Sequence, residues 1–288
     1  MARKHNSLTS PRPFLKWAGG KTDLVGLILQ KLPAEIPQYV EPFVGGGAVF
    51  FALARARRFE RALLGDRNGE LVLVWQTVRD DVEGLIAACE AWPVDEATYY
   101  QVRDELALET LTPTERAARV IWLNRHCFNG LYRLNRQGRF NVPFGRYARP
   151  QRIDFENLRR CSEVLQGVEI IEGDFDDVLA RAEPGAAVYL DPPYVPVSKT
   201  SSFTAYDGNR FGTEEHSRLA ATFEALPERG IRHAVLSNSW TDETRSLYRR
   251  RRGMNATSVQ VRRSINRNGA GRAPVPELLA WLVPRPPT

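Results

Sequence analysis

Cysteine, histidine and lysine are all scarce in this 288-residue chain, and each scarcity narrows what it can do. The three cysteines, Cys89, Cys127 and Cys161, lie far apart without paired spacing, which argues against a disulfide framework and a cysteine-rich zinc site. The four histidines, His5, His126, His216 and His233, show no metal-ligand spacing and belong to no Ser-His-Asp motif. No metal is expected. Nor is there a run of about 18 apolar residues to cross a bilayer. The opening segment, MARKHNSLTSPRP, lacks the apolar core of a signal peptide. The expectation is a soluble, cytoplasmic protein.

What is present is enough to fold. Hydrophobic residues make up 43% and charged residues 26%, a balance that supports a buried core and argues against disorder. The net charge of +6 points to an anionic partner. Lysine occurs only at positions 4, 16, 21, 31 and 199, so the basic charge is almost all arginine. Its distribution says more than its sum. Arg116 to Ile153 holds nine arginines and no acid, and so does Thr244 to Pro276. Two such stretches, with Trp122, Phe128, Tyr132, Phe140, Phe144 and Tyr147 interleaved in the first, suggest a footprint on nucleic-acid phosphates. The alternative is a pair of solvated basic faces, with some of the aromatics in a core.

The order of elements indicates an α/β fold. A helix is predicted after Lys21, with Leu24, Val25, Leu27, Ile28 and Leu32 on one face and Pro33 closing it. A strand over 38–43 then runs into Gly45-Gly46-Gly47, a helix follows, and a strand at 62–64 ends at Asp66. This is one unit of a doubly wound sheet. Helical pieces fill 68–127. The αβ rhythm returns with strands at 168–172 and 186–190, a helix at 214–226, a strand at 233–237, and late strands near 256–263 and 278–283. The predicted division is a catalytic domain of residues 1–66 and 166–288, interrupted by a mostly helical insert at 67–165.

Asp191-Pro192-Pro193-Tyr194, directly after an apolar strand, is the strongest local signal. An exocyclic amine of a nucleobase is a poor nucleophile because its lone pair is delocalised into the ring. A site that alkylates it must accept both N–H groups and so favour tetrahedral nitrogen. The Asp191 carboxylate can accept one and the Pro192 carbonyl the other, with φ fixed at both Pro192 and Pro193. Tyr194 offers a face for stacking. The alternative is a plain Pro-Pro turn at a strand end. The turn of Phe43, Gly45 and Gly47 lies where open α/β sheets bind ligands, and Asp66 ends the next strand, where an acid typically grips ribose hydroxyls. Trp17-Ala-Gly-Gly-Lys21 lacks the first glycine of a phosphate loop, since Leu15 stands there. Trp17 could instead pack on a cofactor while Lys21 meets a carboxylate.

Together these segments resemble a known family. FLKWAGGK (14–21), EPFVGGG (41–47) and DPPY (191–194) are similar, in that order, to the α-class DNA adenine-N6 methyltransferases. LNRHCFNGLYRLN (123–135), FNVPFGRY (140–147), SFTAY (202–206) and VRRSI (261–265) bring the resemblance closer to the Dam, GATC-methylating branch. It spans about 14–283, and departs from the family pattern at Gly46 and Phe128, where alanine and tyrosine are expected.

The resemblance implies a Rossmann-like methyltransferase sheet with an inserted target-recognition domain. It implies S-adenosylmethionine as methyl donor, no metal, and double-stranded DNA as partner, with GATC as target. It suggests Trp17, Lys21, Phe43, Gly45, Gly47, Asp66, Asp174 and Asp191 around the cofactor, Asp174 near its adenine. In the insert it suggests that Arg133 reads a guanine through O6 and N7. Leu131 and Pro143 would touch the thymine methyl, Lys16 the outer guanine, and Phe128 would wedge into the stack. Asn129 and Arg146 or Tyr147 would hold the backbone. For Leu131, Pro143 and Phe128 the alternative is packing within the insert. The resemblance further implies a bacterial or phage-encoded enzyme, associated with the nucleoid through DNA. Competing readings are a cytosine-N4 methyltransferase, an inactive DNA-binding relative and a nicotinamide oxidoreductase.

Overall fold

In the computed structural model the predicted strands are present, most with shifted ends. It describes residues 10–17, 19, 21, 23–149, 151–195, 211–248, 253–261 and 274–283. The strands are β1 (Ile36–Glu41), β2 (Phe59–Asp66), β3 (Glu169–Glu172), β4 (Ala187–Leu190), β5 (His233–Ser239), β6 (Met254–Val261) and β7 (Val275–Leu282). They form one sheet in the order β3-β2-β1-β4-β5-β7-β6. The first five strands are parallel, and β7 inserts antiparallel between β5 and β6. The chain steps outward from β1 to β3 on one side and resumes with β4 on the other. The gap between the ends of β1 and β4 is therefore the topological switch point, where open α/β sheets bind ligands.

The helices are α1 (Val25–Lys31), α2 (Ala48–Arg55), α3 (Gly69–Asp80), α4 (Val82–Glu90), α5 (Glu96–Tyr100), α6 (Pro113–His126), α7 (Phe155–Leu165), α8 (Phe175–Ala180), α9 (Thr213–Ala225) and α10 (Asp242–Leu247). Their starts are written in local chemistry. Asn68 caps α3, Asp154 caps α7, and Thr112 with Glu115 forms a capping box on α6 with Pro113 in its first turn.

Side chains alternate across a strand, so the sheet separates two apolar layers. Tyr39, Leu64, Ala187, Tyr189, Val235 and Leu279 share a core with α1, α2, α3 and α7. Val40, Leu63, Val188, Leu190, Leu236 and Leu278 share another with α8 and α9. Helices α3, α4, α6 and α7, all within 67–165, contribute Trp75, Ile86, Ile121 and Leu158 to the first layer. A smaller cluster of Tyr99, Val102, Trp122, Leu123, Cys127, Phe140 and Val142 belongs to 67–165 alone.

Candidate active site

At the carboxyl ends of β1, β2 and β4, the glycine turn, Asp66 and Asp191-Pro192-Pro193-Tyr194 come together with Lys21 of the amino-terminal segment. The Lys21 ammonium lies 2.6 Å from Asp191 Oδ2. It also donates to the Gly19 carbonyl at 2.5 Å and sits 4.6 Å from the centre of the Tyr194 ring. The carboxylate that Lys21 meets is one of the chain's own. Ser237 donates its hydroxyl to the other Asp191 oxygen at 2.9 Å, and Tyr189 shares a 2.8 Å hydrogen bond with Ser237. Burial raises the Asp191 pKa above the usual carboxylate value; Lys21 and the Ser237 hydroxyl oppose that rise. Each Asp191 oxygen uses one acceptor position on these partners and keeps another.

Glu41, quoted in the sequence only as part of a motif, is a buried carboxyl at the end of β1. Tyr39 donates to it at 2.8 Å. Its pKa is pushed up to about 8, first by burial and further by the Asp191 charge, against the Tyr39 hydrogen bond and Lys21. Tyr194 donates its hydroxyl to Glu277 of β7 at 2.9 Å. None of Ser237, Glu41 and Glu277 was identified from the sequence as part of a site.

The glycine turn is shaped by its backbone. Gly47 has φ +67°, and a Cβ there would lie 2.4 Å from the Trp75 ring. The Gly45 N–H donates to Asp66 Oδ2 at 3.1 Å, and the Asn68 N–H to Asp66 Oδ1 at 3.0 Å. Asp66 thus ties the end of β2 to the turn. Trp17 lies over Gly45 and Gly46 and packs against Tyr132, ring centres 4.7 Å apart. Phe43 stacks on Phe175 at 5.7 Å. Asp174 caps α8 and is paired with Arg218 at 2.8 Å. Burial alone would raise its pKa, but Arg218 and the Asp176 N–H prevail and hold it below the usual value.

The residues assigned to DNA lie around one loop. Buried Asn124 of α6 accepts the Lys16 N–H and donates to the Lys16 and Gly130 carbonyls, at 2.9, 2.9 and 3.1 Å. This joins Lys16 to the turn carrying Phe128 and Asn129, both exposed. Gly130, at φ +64°, leaves room for the Lys16 stem, which a Cβ would meet at 2.2 Å. Phe128 is 41% exposed. Its N–H donates to the carbonyl of Pro143, itself exposed, and Leu131 is half-buried. Arg133 is fixed by Asn141, from Nε to Oδ1 at 2.7 Å and from Nη2 to the Asn141 carbonyl at 3.2 Å. Tyr147 donates to the Cys127 carbonyl at 3.0 Å, and Arg146 pairs with Glu96 at 2.5 Å.

The first basic stretch is less uniform than its sequence suggests. Arg119 is buried and donates to the Val102 and Arg103 carbonyls, while Arg116 pairs with Glu70. These two do not face phosphate, and Trp122 and Phe140 are core. An arginine on an apolar helix face can satisfy its guanidinium on chain carbonyls, which composition cannot reveal. Of the second stretch, Arg249–Arg252, Arg262, Arg263, Arg267 and Arg272 lie outside the described residues, as do 202–206 and most of 261–265. Among the described residues no group of His, Cys, Asp and Glu could hold a metal ion, and no helix is long and apolar enough to cross a membrane.

Comparison with known proteins shows the family. A sequence model of the D12 class N6 adenine-specific DNA methyltransferases matches residues 17–265. The type II methyltransferase M.MjaIII of Methanocaldococcus jannaschii is 41% identical over 278 residues, 91% of this chain and 95% of that protein. The DNA adenine methylase of Escherichia coli K12 is 40% identical over 277 residues, 95% of this chain and 96% of that protein. A solved rRNA methylase of Streptococcus thermophilus superposes with a TM-score of 0.40 at 10% identity, covering 92% of this chain and 97% of that one. The family match decides for adenine N6 over cytosine N4 and sets the nicotinamide reading aside.

Proposed function

This chain belongs to the D12 class N6 adenine-specific DNA methyltransferases, and from that premise we propose that it methylates adenine in double-stranded GATC, with transfer at Asp191-Pro192-Pro193-Tyr194. The family's activity implies S-adenosylmethionine as donor, which supplies an electrophilic methyl on a sulfonium. The switch-point cradle fits it. The left-handed glycine turn opens backbone to a ligand, and Asp66 stands beside that turn at the end of β2, where an acid typically grips a ribose diol. In this reading Trp17, Lys21, Phe43, Gly45, Gly47, Asp66, Asp174 and Asp191 line the cofactor site.

The observation that carries the transfer site is the fixed Asp191 carboxylate, held on both oxygens and still able to accept. The target adenine leaves the stack at a cost of a few kcal/mol, offset by stacking on Tyr194 and hydrogen bonds in the pocket. Asp191 accepts one N6 hydrogen and the Pro192 carbonyl the other, with Pro193 keeping that carbonyl rigid. The nitrogen lone pair is thereby turned towards the methyl, and positioning and dipole stabilisation lower the barrier. Residues 67–165 form the recognition unit. In it Arg133 reads guanine, Leu131 and Pro143 meet the thymine methyl, and Phe128 fills the stack, while Lys16 of the amino-terminal segment meets the outer guanine. Asn129, Arg146 and Tyr147 hold the backbone; Arg146 exchanges Glu96 for phosphate.

Plasmid protection against a methylation-sensitive restriction enzyme, with and without GATC sites, tests the target. Asp191→Ala tests the site. It should abolish transfer and leave DNA binding intact, because it removes an amine acceptor and no phosphate contact. Turnover within about tenfold of wild type would sink the assignment.

A further inference from the structure

The end of β5 carries three polar residues, Ser237, Asn238 and Ser239, that are buried and inside the sheet. Burying polar groups costs free energy unless each finds a partner, so such a run calls for a reason. Their partners lie in the Asp191–Val195 loop. Ser237 donates to Asp191 at 2.9 Å. Asn238 Oδ1 accepts the Val195 N–H at 3.1 Å, and the Ser239 hydroxyl donates to the Val195 carbonyl at 2.5 Å. Strand β7 adds a fourth point. Its antiparallel register sets Glu277 opposite Ser239, and Glu277 accepts the Tyr194 hydroxyl at 2.9 Å. A plain turn could rest on apolar neighbours. Here the two side chains of the loop that face chemistry are each held by a dedicated side chain from a different strand.

We propose that Ser237 and Glu277 are positioning residues for methyl transfer, Ser237 aiming the Asp191 carboxylate and Glu277 the Tyr194 ring. The proposal rests on Asp191-Pro192-Pro193-Tyr194 being the transfer site. Ser237 occupies one oxygen of Asp191 while Lys21 holds the other, so the carboxylate plane cannot rotate away from the amine. Glu277 anchors the far end of the Tyr194 ring. Lys21, near both Asp191 and the ring face, keeps the two in register.

The measurement is the single-turnover rate on a GATC duplex with saturating S-adenosylmethionine, as a function of pH, with both binding constants determined alongside. Ser237→Ala should lower the rate roughly tenfold to a hundredfold with binding constants within about twofold of wild type. A hydrogen bond to the charged form stabilises it, so its loss should move the acid limb of the rate upward by roughly one pH unit. The other groups around Asp191 are Lys21, Tyr39 and Glu41 of β1, Tyr189 of β4, Tyr194 and Glu277, and all remain in this variant. Glu277→Gln keeps an acceptor and should transfer near the wild-type rate, whereas Glu277→Ala should be slowed. Tyr194→Phe combined with Glu277→Ala should be no slower than Tyr194→Phe alone, since both remove one bond.

An unmoved acid limb in Ser237→Ala would overturn the role of Ser237. Additive losses in the Tyr194 and Glu277 pair, or a wild-type rate in Glu277→Ala, would overturn that of Glu277. If Ser237→Ala does not fold, the Glu277 cycle decides the proposal. Asp191→Ala serves as control. If it is active, the site reading itself fails; if it is dead while Ser237→Ala and Glu277→Ala behave as wild type, only the positioning roles fail.

Discussion

Lys21 and Asp191, far apart in sequence, approach to 2.6 Å, Lys21 only 6% exposed and Asp191 19%. A pair this sheltered is held less by the attraction itself than by the cost of breaking it, because one partner alone would be a buried, uncompensated charge. It also opposes the rise that burial imposes on the Asp191 pKa, and in the proposed mechanism the ionised carboxylate is the form that accepts the amine.

Lys21→Met should therefore raise the Asp191 pKa further. If transfer needs the ionised form, as proposed, its acid limb should move to higher pH and the rate at neutral pH should fall. Single-turnover rates measured across the whole acid limb of wild type and variant check this. An acid limb in the same place as wild type would show that Lys21 does not tune Asp191.

Glu41 gives stability a pH dependence of defined sign. Its folded pKa of about 8 lies above its unfolded value near 4.5, so the folded state holds the proton more tightly between them. Stability from this group is greatest at low pH and is lost progressively as pH rises towards 8. Glu41→Gln keeps an acceptor for Tyr39 and cannot ionise. Its melting temperature relative to wild type should climb by a few degrees from about pH 5 to 8, then level off. A difference independent of pH would contradict the assignment.

Asp66→Ala should weaken S-adenosylmethionine binding by about 1.5–3 kcal/mol, the worth of a charge-assisted hydrogen bond. It should also lower the melting temperature without ligand, because the Gly45 and Asn68 N–H groups lose their acceptor. Calorimetric titration and thermal melts separate the two effects. Unchanged cofactor affinity would leave Asp66 a purely structural tie.

Arg133→Ala should cost about 1–3 kcal/mol and relax selectivity at one base pair. Asn141→Ala should relax the same base pair by less, since it frees the guanidinium that Asn141 now fixes at Nε. Arg149, exposed and outside that pair, should when replaced weaken all sequences alike and flatten the salt slope by about one unit. The test is kcat/KM on GATC and each single-base variant. A uniform loss across all substrates for Arg133→Ala would place it on the backbone.

Much of this molecule follows from the order of its residues. The apolar face of the first helix, the Gly45–Gly47 turn and the strand-end Asp191 are local. They depend on neighbours in sequence and so can be read there. The strand ends were less legible. Isolated propensity marks only 62–64 of β2, whereas pairing with β1 and β3 extends it over Phe59–Asp66. What only the tertiary structure decided is how distant polar residues share one face of the sheet. Tyr189, Asp191, Ser237 and Glu277 are paired through hydrogen bonds to one another or to Lys21 and Tyr194, and those pairings depend on strand order. With β7 placed antiparallel beside β5, Glu277 reaches Tyr194; nothing in the local sequence of either residue records that neighbour. The burial of Arg119 follows the same logic, for its helix could turn any face inward until packing chose one. Local chemistry fixes which elements form and where they turn, and the site itself is assembled by contacts whose energies exist only once the strands are side by side.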